Sequence, residues 1–393
     1  MANTPQIRFD GFTDDWEQRK FSNFVQRESD IQVSSPECPS VEYEDVIAEE
    51  GRLNKDIRLK EVQKSGIKFN GTQVLYGKLR PYLHNWLNPD FTGIAVGDWW
   101  VLRPIEMDKN FLYRLIQTKN YDNVANQSSG SKMPRSDWNL VSNTEFFIPT
   151  SMEEQGKIAK TFDALDTLIT LHQRKCDTLR KLKKAMLQKM FPQAGERVPK
   201  IRFAGFTDDW EQRKFGSLYQ KSSEKNNGSI GIDKNITVAT MQFKPDVKVT
   251  TEEYLKTYYT FNIGDIAFEG HHSKEFMFGR FVANDIGNGI VSHIFVVFRP
   301  CVDYDLKYWK YAIHNEGIMR PILSRSTKAS TMMHDLVTDD FLNESILVPS
   351  IEEQKKIGTF LDNLDSLITL HQRKCDTLRK LKKAMLQKMF PNA

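Results

Sequence analysis

Residues 168–192, LITLHQRKCDTLRKLKKAMLQKMFP, recur without a change at 367–391, 199 positions later. A shorter segment, GFTDDWEQRKF at 11–21, returns at 205–215, an offset of 194. Between the paired segments lie 129 residues in the first half (22–150) and 134 in the second (216–349), which accounts for the change of offset. These middles share only scattered matches. The 393 residues are therefore a tandem duplication, each half a leading motif, a variable domain and a long repeated segment. A period near 195 is too long for a solenoid. The boundaries read as a first domain with its leading motif (1–150), a first helix (151–192), a linker (193–204), a second domain with its motif (205–349) and a second helix (350–391).

The repeated segments are helical by their apolar spacing. Ile158, Phe162, Leu165, Ile169, His172, Cys176, Leu179, Leu182, Met186 and Met190 follow steps of 4 and 3 with a slip near the end, a heptad-like seam. The second copy repeats these positions with Leu361 in place of Phe162. Ser151 and Ser350 are placed to cap, the Glu pairs 153–154 and 352–353 suit the positive end of the dipole, and Phe191-Pro192 and Phe390-Pro391 end the runs. A helix of about 38 residues is roughly 57 Å long. The seam alone permits a parallel or an antiparallel pair. A pseudo-two-fold relation between the halves makes it antiparallel, with a domain at either end of a rod. His172 and His371 read as polar seam residues that set register.

The net charge of +4 is unevenly spread. Residues 151–200 sum to +5 and 350–393 to +4, whereas 22–150 and 216–349 each sum to −2. Positive charge thus gathers on the helices, where 174–189 and 373–388 each hold seven Lys/Arg against one Asp. A solvated helix face, phosphate binding and docking of an acidic partner all fit. The N-terminus lacks the apolar core of a signal peptide, and no stretch has the length of a membrane span, so a cytoplasmic protein is expected. Cys38, Cys176, Cys301 and Cys375 form no CxxC pair or zinc-spaced cluster and read as reduced thiols.

The variable domains look mixed α/β and alike. Short strands are expected at 71–76, 93–96 and 99–102 in the first and at 264–268 and 293–298 in the second, with helices following at 109–118 and 306–315. Catalytic motifs are scarce. There is no phosphate-binding loop and no GxGxxG. Asn88-Pro89-Asp90-Phe91 departs from the adenine-methyltransferase pattern by an Asp for the second Pro, and no glycine-rich cofactor loop precedes it. Asp246 with Asp305 and Lys307 is a loose match to a metal-dependent nuclease and has no counterpart in the first domain.

What remains is a set of polar, glycine-flanked loops in corresponding places. In the first domain they offer Lys78, Arg80, Tyr82, His84 and Asn85, then Ser129, Lys132 and Arg135. In the second they offer His271, His272, Ser273 and Lys274, then Arg325, Thr327, Lys328 and Ser330. Arg and Lys suit guanine acceptors, Asn and Gln suit adenine, and Ser and Thr suit phosphates or either base. These sixteen residues are the candidate DNA contacts; no catalytic or metal-binding residue is assigned.

The repeated Phe12-Thr-Asp-Asp-Trp-Glu17, the Gly77-Lys-Leu-Arg-Pro81 loop, and Ile148-Pro149 followed by Glu153-Glu-Gln155 resemble the specificity subunits of type I restriction-modification enzymes. Ile346-Leu-Val-Pro349 and Glu352-Glu-Gln354 repeat the last of these. The resemblance implies an α+β chain: two similar mixed α/β target-recognition domains separated by two long antiparallel coiled-coil helices in a pseudo-two-fold repeat. It implies that each domain reads half of a split double-stranded DNA site and that the helices set the unread gap. The shared regions would dock modification (methyltransferase) subunits, two of them, and restriction (translocase-nuclease) subunits would join. S-adenosylmethionine, ATP and Mg are then expected on the partners and no cofactor on this chain, which would be non-catalytic. The second domain departs from the family loop, with Gly270-His-His-Ser-Lys274 where the first has Gly-Lys-Leu-Arg-Pro. The competing readings are a coiled-coil scaffold whose domains bind proteins and a self-contained nuclease or methyltransferase.

Overall fold

The computed structural model describes residues 4–60, 62–127, 133–193, 195–245, 251–330 and 333–391. The chain packs as two units. The first comprises residues 1–173 and 373–393, the second residues 174–372. Each of the long helices, Met152–Lys189 and Ile351–Lys388, is continuous and contributes one part to either unit.

In unit 1 the leading strand Glu17–Lys20 pairs antiparallel with Glu145–Ile148, the strand just before the first long helix. Chain entrance and exit are thereby clasped together. The equivalent clasp in unit 2 joins Glu211–Lys214 to Ser345–Val348 in the same register, Glu211 opposite Val348. The duplicated motif has a second task. Glu154, 1% exposed, accepts from Arg8 Nε at 2.7 Å and lies 3.4 Å from Trp16 Nε1; Glu353, also 1% exposed, accepts from Arg202 Nε at 2.7 Å and Trp210 Nε1 at 3.1 Å. A buried carboxylate needs such partners. Gln155 donates to the Pro149 carbonyl and accepts the Asp108 N–H; Gln354 does the same with Pro349 and Asp305. The repeated Glu-Glu-Gln thus locks each helix start to its domain, and Ser151 and Ser350 cap as expected, each accepting an N–H three residues on at 3.3 Å.

Both domains carry an antiparallel four-stranded sheet of one order. In unit 1 it runs Val25–Arg27, Trp99–Pro104, Val74–Gly77, Trp86–Leu87; in unit 2, Tyr219–Ser222, Val296–Pro300, Ile266–Glu269, Arg280–Ala283. The central strands are apolar on both faces because a core lies on each side. Trp100 and Leu102 join the core under the helices, while Trp99 and Val101 join a second core beneath the outer strands. Phe298 and Val297 divide in the same way. The outer strands differ: unit 1 has a four-stranded sheet there and unit 2 only two-stranded pairs. The two domains share a fold, as expected.

Within each unit the helical segments run antiparallel. In unit 1 the Cys375 thiol lies 3.6 Å from the Ile169 carbonyl, Lys382 meets Asp166 and Phe390 reaches Phe162, so one number falls as the other rises. In unit 2 Cys176 approaches Ile368 and Lys183 meets Asp365. One seam position is corrected. Leu182 and Leu381 are 39% and 46% exposed, and Lys183 and Lys382 take the inward place instead. The steps from Cys176 then read 3, 4, 3, 4 and the slip disappears: the heptad continues through a lysine because an aspartate waits opposite. His172 and His371 are half-buried.

A candidate nucleic-acid interface on each unit

In unit 1 two of the polar segments meet. The loop after strand Val74–Gly77 is bonded to the segment ahead of helix Trp138–Asn143: Arg80 N–H donates to the Pro134 carbonyl at 2.7 Å, and Ser136 N–H to the Lys78 carbonyl at 2.9 Å. Lys78, Arg80, Tyr82 and Arg135 are thereby gathered on one edge. Asp98 organises them. Its carboxylate lies 3.6 Å from Lys78 Nζ and accepts from two Arg135 nitrogens at 3.2 Å. The Tyr43 hydroxyl donates to the Asp98 carbonyl at 2.6 Å and accepts from Leu79 N–H at 3.0 Å, while burial pushes its phenol well above the usual range and keeps it a donor. Arg80 has φ +49°, a left-handed backbone that a side chain adopts at a cost, and Pro81 disfavours the right-handed alternative.

His84 and Asn85 go elsewhere. The His84 ring stacks on Trp86 with Nε2 3.0 Å from Asp122 and Nδ1 3.3 Å from Glu49, facing a cleft of about 590 Å³ that Lys382 and Arg379 also line. Asn85 is buried, and its carbonyl accepts from Gly77 N–H. A Cβ at Gly77 would come within 2.9 Å of Asn85, so the turn requires glycine. Ser129 and Lys132 lie outside the described residues.

Unit 2 repeats the frame with other side chains. His334 N–H donates to the Gly270 carbonyl at 2.8 Å, joining the loop after strand Ile266–Glu269 to the hairpin of Thr327–Ala329 and His334–Leu336. His271, His272, Ser273 and Lys274 are all exposed, as are Lys328 and Ser330 on the hairpin. The Ser273 oxygen accepts from Glu275 and Phe276 N–H and shapes its own turn. Ser330 Oγ donates to the Met333 carbonyl. Two candidates serve the fold: Arg325 makes a two-point pair with Glu344 at 2.8 and 2.6 Å, and Thr327 Oγ1 donates to the Leu323 carbonyl. Asp98, Tyr43 and His334, which hold the loops in place, carry no local signal in the sequence.

The enzyme-like fragments have structural uses. Asn88 donates to Asn110, and the Pro89 carbonyl accepts from Lys109 Nζ, which fixes a turn. Asp305 caps helix Leu306–Ala312, and Lys307 pairs with Asp362 at 3.2 Å; Asp246 lies outside the described residues. Among the described residues no group of three or more His, Cys, Asp or Glu could hold a metal ion. No helix among them is long and apolar enough to cross a membrane.

Known proteins share this organisation. A family model described as the type I restriction modification DNA specificity domain matches twice, over residues 44–181 and 207–380. The type I restriction enzyme MjaVIII specificity subunit of Methanocaldococcus jannaschii is 24% identical over 312 residues, 71% of this chain and 69% of the relative. The crystal structure of a type I restriction-modification system S subunit from M. genitalium superposes with a TM-score of 0.63 at 12% identity, covering 99% of this chain and all of that one. A structure described for complex assembly and conformational transition of the type I R-M system gives 0.54 at 17% identity, covering 95% and 97%.

Proposed function

The chain belongs to the type I restriction-modification DNA specificity family, and from that premise we propose that it reads a two-part DNA sequence on behalf of adenine-methyltransferase and endonuclease partners. The observation that carries this reading is the recurrence of one loop frame with different side chains. Lys78, Arg80 and Arg135 stand on it in unit 1; His271, His272, Lys274 and Lys328 in unit 2. Equal frames with unlike donors suit two half-sites of unlike sequence. The chain itself supplies recognition and no chemistry. S-adenosylmethionine, ATP and Mg belong to the partners, and the complex works in the cytoplasm.

The helices serve as spacer and dock. Leu168, Leu171 and Leu182, and 199 positions on Leu367, Leu370 and Leu381, lie outside the seam at 39–46% exposure. Lysines and arginines flank them. An apolar line edged with positive charge fits an amphipathic partner helix with acidic flanks, once on each helix. Two modification subunits follow.

The test is to replace residues 22–150 with another family member's domain, express the chain with its partner subunits, and map methylated adenines across a genome. One half of the motif should change and the other persist. An unaltered motif would point to a protein-binding scaffold, and methylation by the chain alone to an enzyme. Because each variable domain carries −2, the isolated chain should bind DNA weakly in moderate salt and the assembled complex far more tightly.

A further inference from the structure

Among the cations gathered on the unit 1 edge stands one carboxylate. Asp98 repels phosphates, so a surface that only attracted DNA would gain nothing from it. Its place is fixed from the core. The Asp98 carbonyl accepts from the Tyr43 hydroxyl at 2.6 Å and from Lys78 N–H at 2.9 Å. The Tyr43 ring in turn packs edge-on against Trp99, which is 1% exposed. The backbone around Arg135 is held on both sides: the Pro134 carbonyl accepts from Arg80 N–H, and Ser136 N–H donates to the Lys78 carbonyl. Between these two fixed points Asp98 takes the guanidinium side-on, Nε to Oδ1 and Nη2 to Oδ2, both at 3.2 Å. Among the described residues Asp98 alone accepts from the Arg135 guanidinium, and that side chain is 53% exposed. A guanidinium carries five N–H donors in a rigid planar fork. With the Nε edge covered, Nη1 and the outer N–H of Nη2 face away from Asp98 as a two-pronged donor.

Unit 2 has neither member of this pair. Val25 faces Pro104 and Tyr219 faces Pro300, and Val25 and Tyr219 are 194 residues apart, the offset of the leading motif. Counting back along the strands that start at Trp99 and Val296 sets Ile294 at the position of Asp98. Ser136 and His334 bond alike to Lys78 and Gly270, which sets Met333 at the position of Arg135. A pair present in both units would belong to the shared frame. A pair confined to unit 1 belongs with what that unit alone reads.

We propose that Arg135 reads a guanine in the half-site of unit 1, with Asp98 as the positioning residue that turns its fork outward. This rests on the reading of the chain as a DNA reader and assigns one base contact within it. Guanine presents the O6 and N7 acceptors side by side in the major groove, and an arginine fork meets both at once. Adenine presents N7 beside an N–H donor, so the same fork meets one acceptor and one opposing donor. A phosphate asks for none of this geometry; a mobile arginine with its charge undiminished serves it better. An exposed ion pair adds little stability of its own. Holding the fork in place beforehand lowers the ordering cost of the contact.

The experiment uses the full chain assembled with its modification subunits, and a duplex carrying the motif found by mapping methylated adenines. The exchange of residues 22–150 tells which half belongs to unit 1. Affinity is followed by fluorescence anisotropy for wild type, Arg135→Met and Asp98→Asn. 7-Deazaguanine, which lacks the N7 acceptor, replaces each guanine of that half in turn. At one guanine it should weaken wild type roughly tenfold. Arg135→Met should be weaker by about the same factor from the start and indifferent to that replacement. An A·T pair at that position should be rejected roughly tenfold or more by wild type, and much less strongly by Asp98→Asn. Asp98→Asn lowering affinity equally for every base there marks a carboxylate that only holds the loop. Arg135→Met losing affinity without base preference, with a salt slope smaller by about one, marks a phosphate contact. Either result, or a unit 1 half-site without a G·C pair, overturns this inference and leaves the two-part motif standing. A wild-type complex that methylates no interrupted motif overturns the DNA reading and this inference with it.

Discussion

The two units set closely related helices, identical from Leu168 and Leu367 onward, against unlike domains, and the join differs at a buried position. In unit 1 Arg114, 2% exposed, reaches Asp163 at 2.5 Å and Asp166 at 2.6 Å, and Lys382 meets Asp166 at 2.7 Å. In unit 2 the corresponding position holds Tyr311, whose hydroxyl donates to Asp365 at 2.7 Å beside Lys183 at 2.6 Å; Asp362, the counterpart of Asp163, turns to Lys307. Burial and the neighbouring carboxylate push the Tyr311 phenol up, so it stays a donor. The one seam position that changes between copies goes with this difference. Phe162 lies 5.8 Å from the Arg114 guanidinium, while Leu361 fills that place in unit 2, where no guanidinium is present. Two aspartates and a lysine on the helices thus form a generic socket that accepts an arginine or a phenol. A domain can be exchanged on such a socket with the two aspartates and the lysine kept and the neighbouring seam residue adjusted.

The largest expected effect tests what the units have in common. Phe390, 5% exposed, and Phe191, fully buried, plug the cores of units 1 and 2. Phe390→Ala should cost unit 1 about 3–5 kcal/mol and leave unit 2 protected, and Phe191→Ala the reverse. Hydrogen exchange resolved by unit reads this, and equal loss in both units would show that the cores are not separate. Next comes the differing anchor. Arg114→Met removes a buried guanidinium from two charged contacts, leaving Asp166 to Lys382 and Asp163 to solvent, and should cost about 3 kcal/mol, whereas Tyr311→Phe removes one hydrogen bond to a charge, about 1.5 kcal/mol. Equal costs in urea unfolding would break the contrast.

A smaller effect sharpens it. Lys183→Met leaves Asp365 with Tyr311 alone, while Lys382→Met leaves Asp166 with Arg114. The first should cost about 1–2 kcal/mol and the second less, although Lys382 is the more buried lysine (14% against 24% exposed). Burial as the deciding factor would reverse that order. The smallest effect concerns the corrected seam. Leu182→Asn and Leu381→Asn should each change stability by less than about 0.5 kcal/mol, and a loss of several kcal/mol in thermal unfolding would restore those leucines to the interior.

Repetition made much of this legible. The helices and their ends follow from residues that recur at fixed offsets, and the likeness of the two domains from short glycine-bounded strands in matching order. The heptad slip was misplaced because a lysine scores as polar until its partner is known, and Asp166 lies 216 residues from Lys382. The loop residues separate for the same reason. Lys78, Arg80 and Arg135 share an edge, but Asn85 turns inward and Arg325 is held by Glu344, and neither distinction is written in local composition. Tyr43 positions the unit 1 loop from 36 residues away, and Asp98 from the far end of the intervening strands.

The plug by which unit 1 is closed also sets an order of events in time. Met389 and Phe390 belong to the unit 1 core yet are made only after the whole of unit 2. The same pair of side chains at Met190 and Phe191 is made 199 residues sooner, but it belongs to the unit 2 core. Unit 2 has its plug in hand before its domain is synthesised. The domain translated first is therefore the last to be completed, and its apolar socket stays open for the whole time that unit 2 takes to emerge.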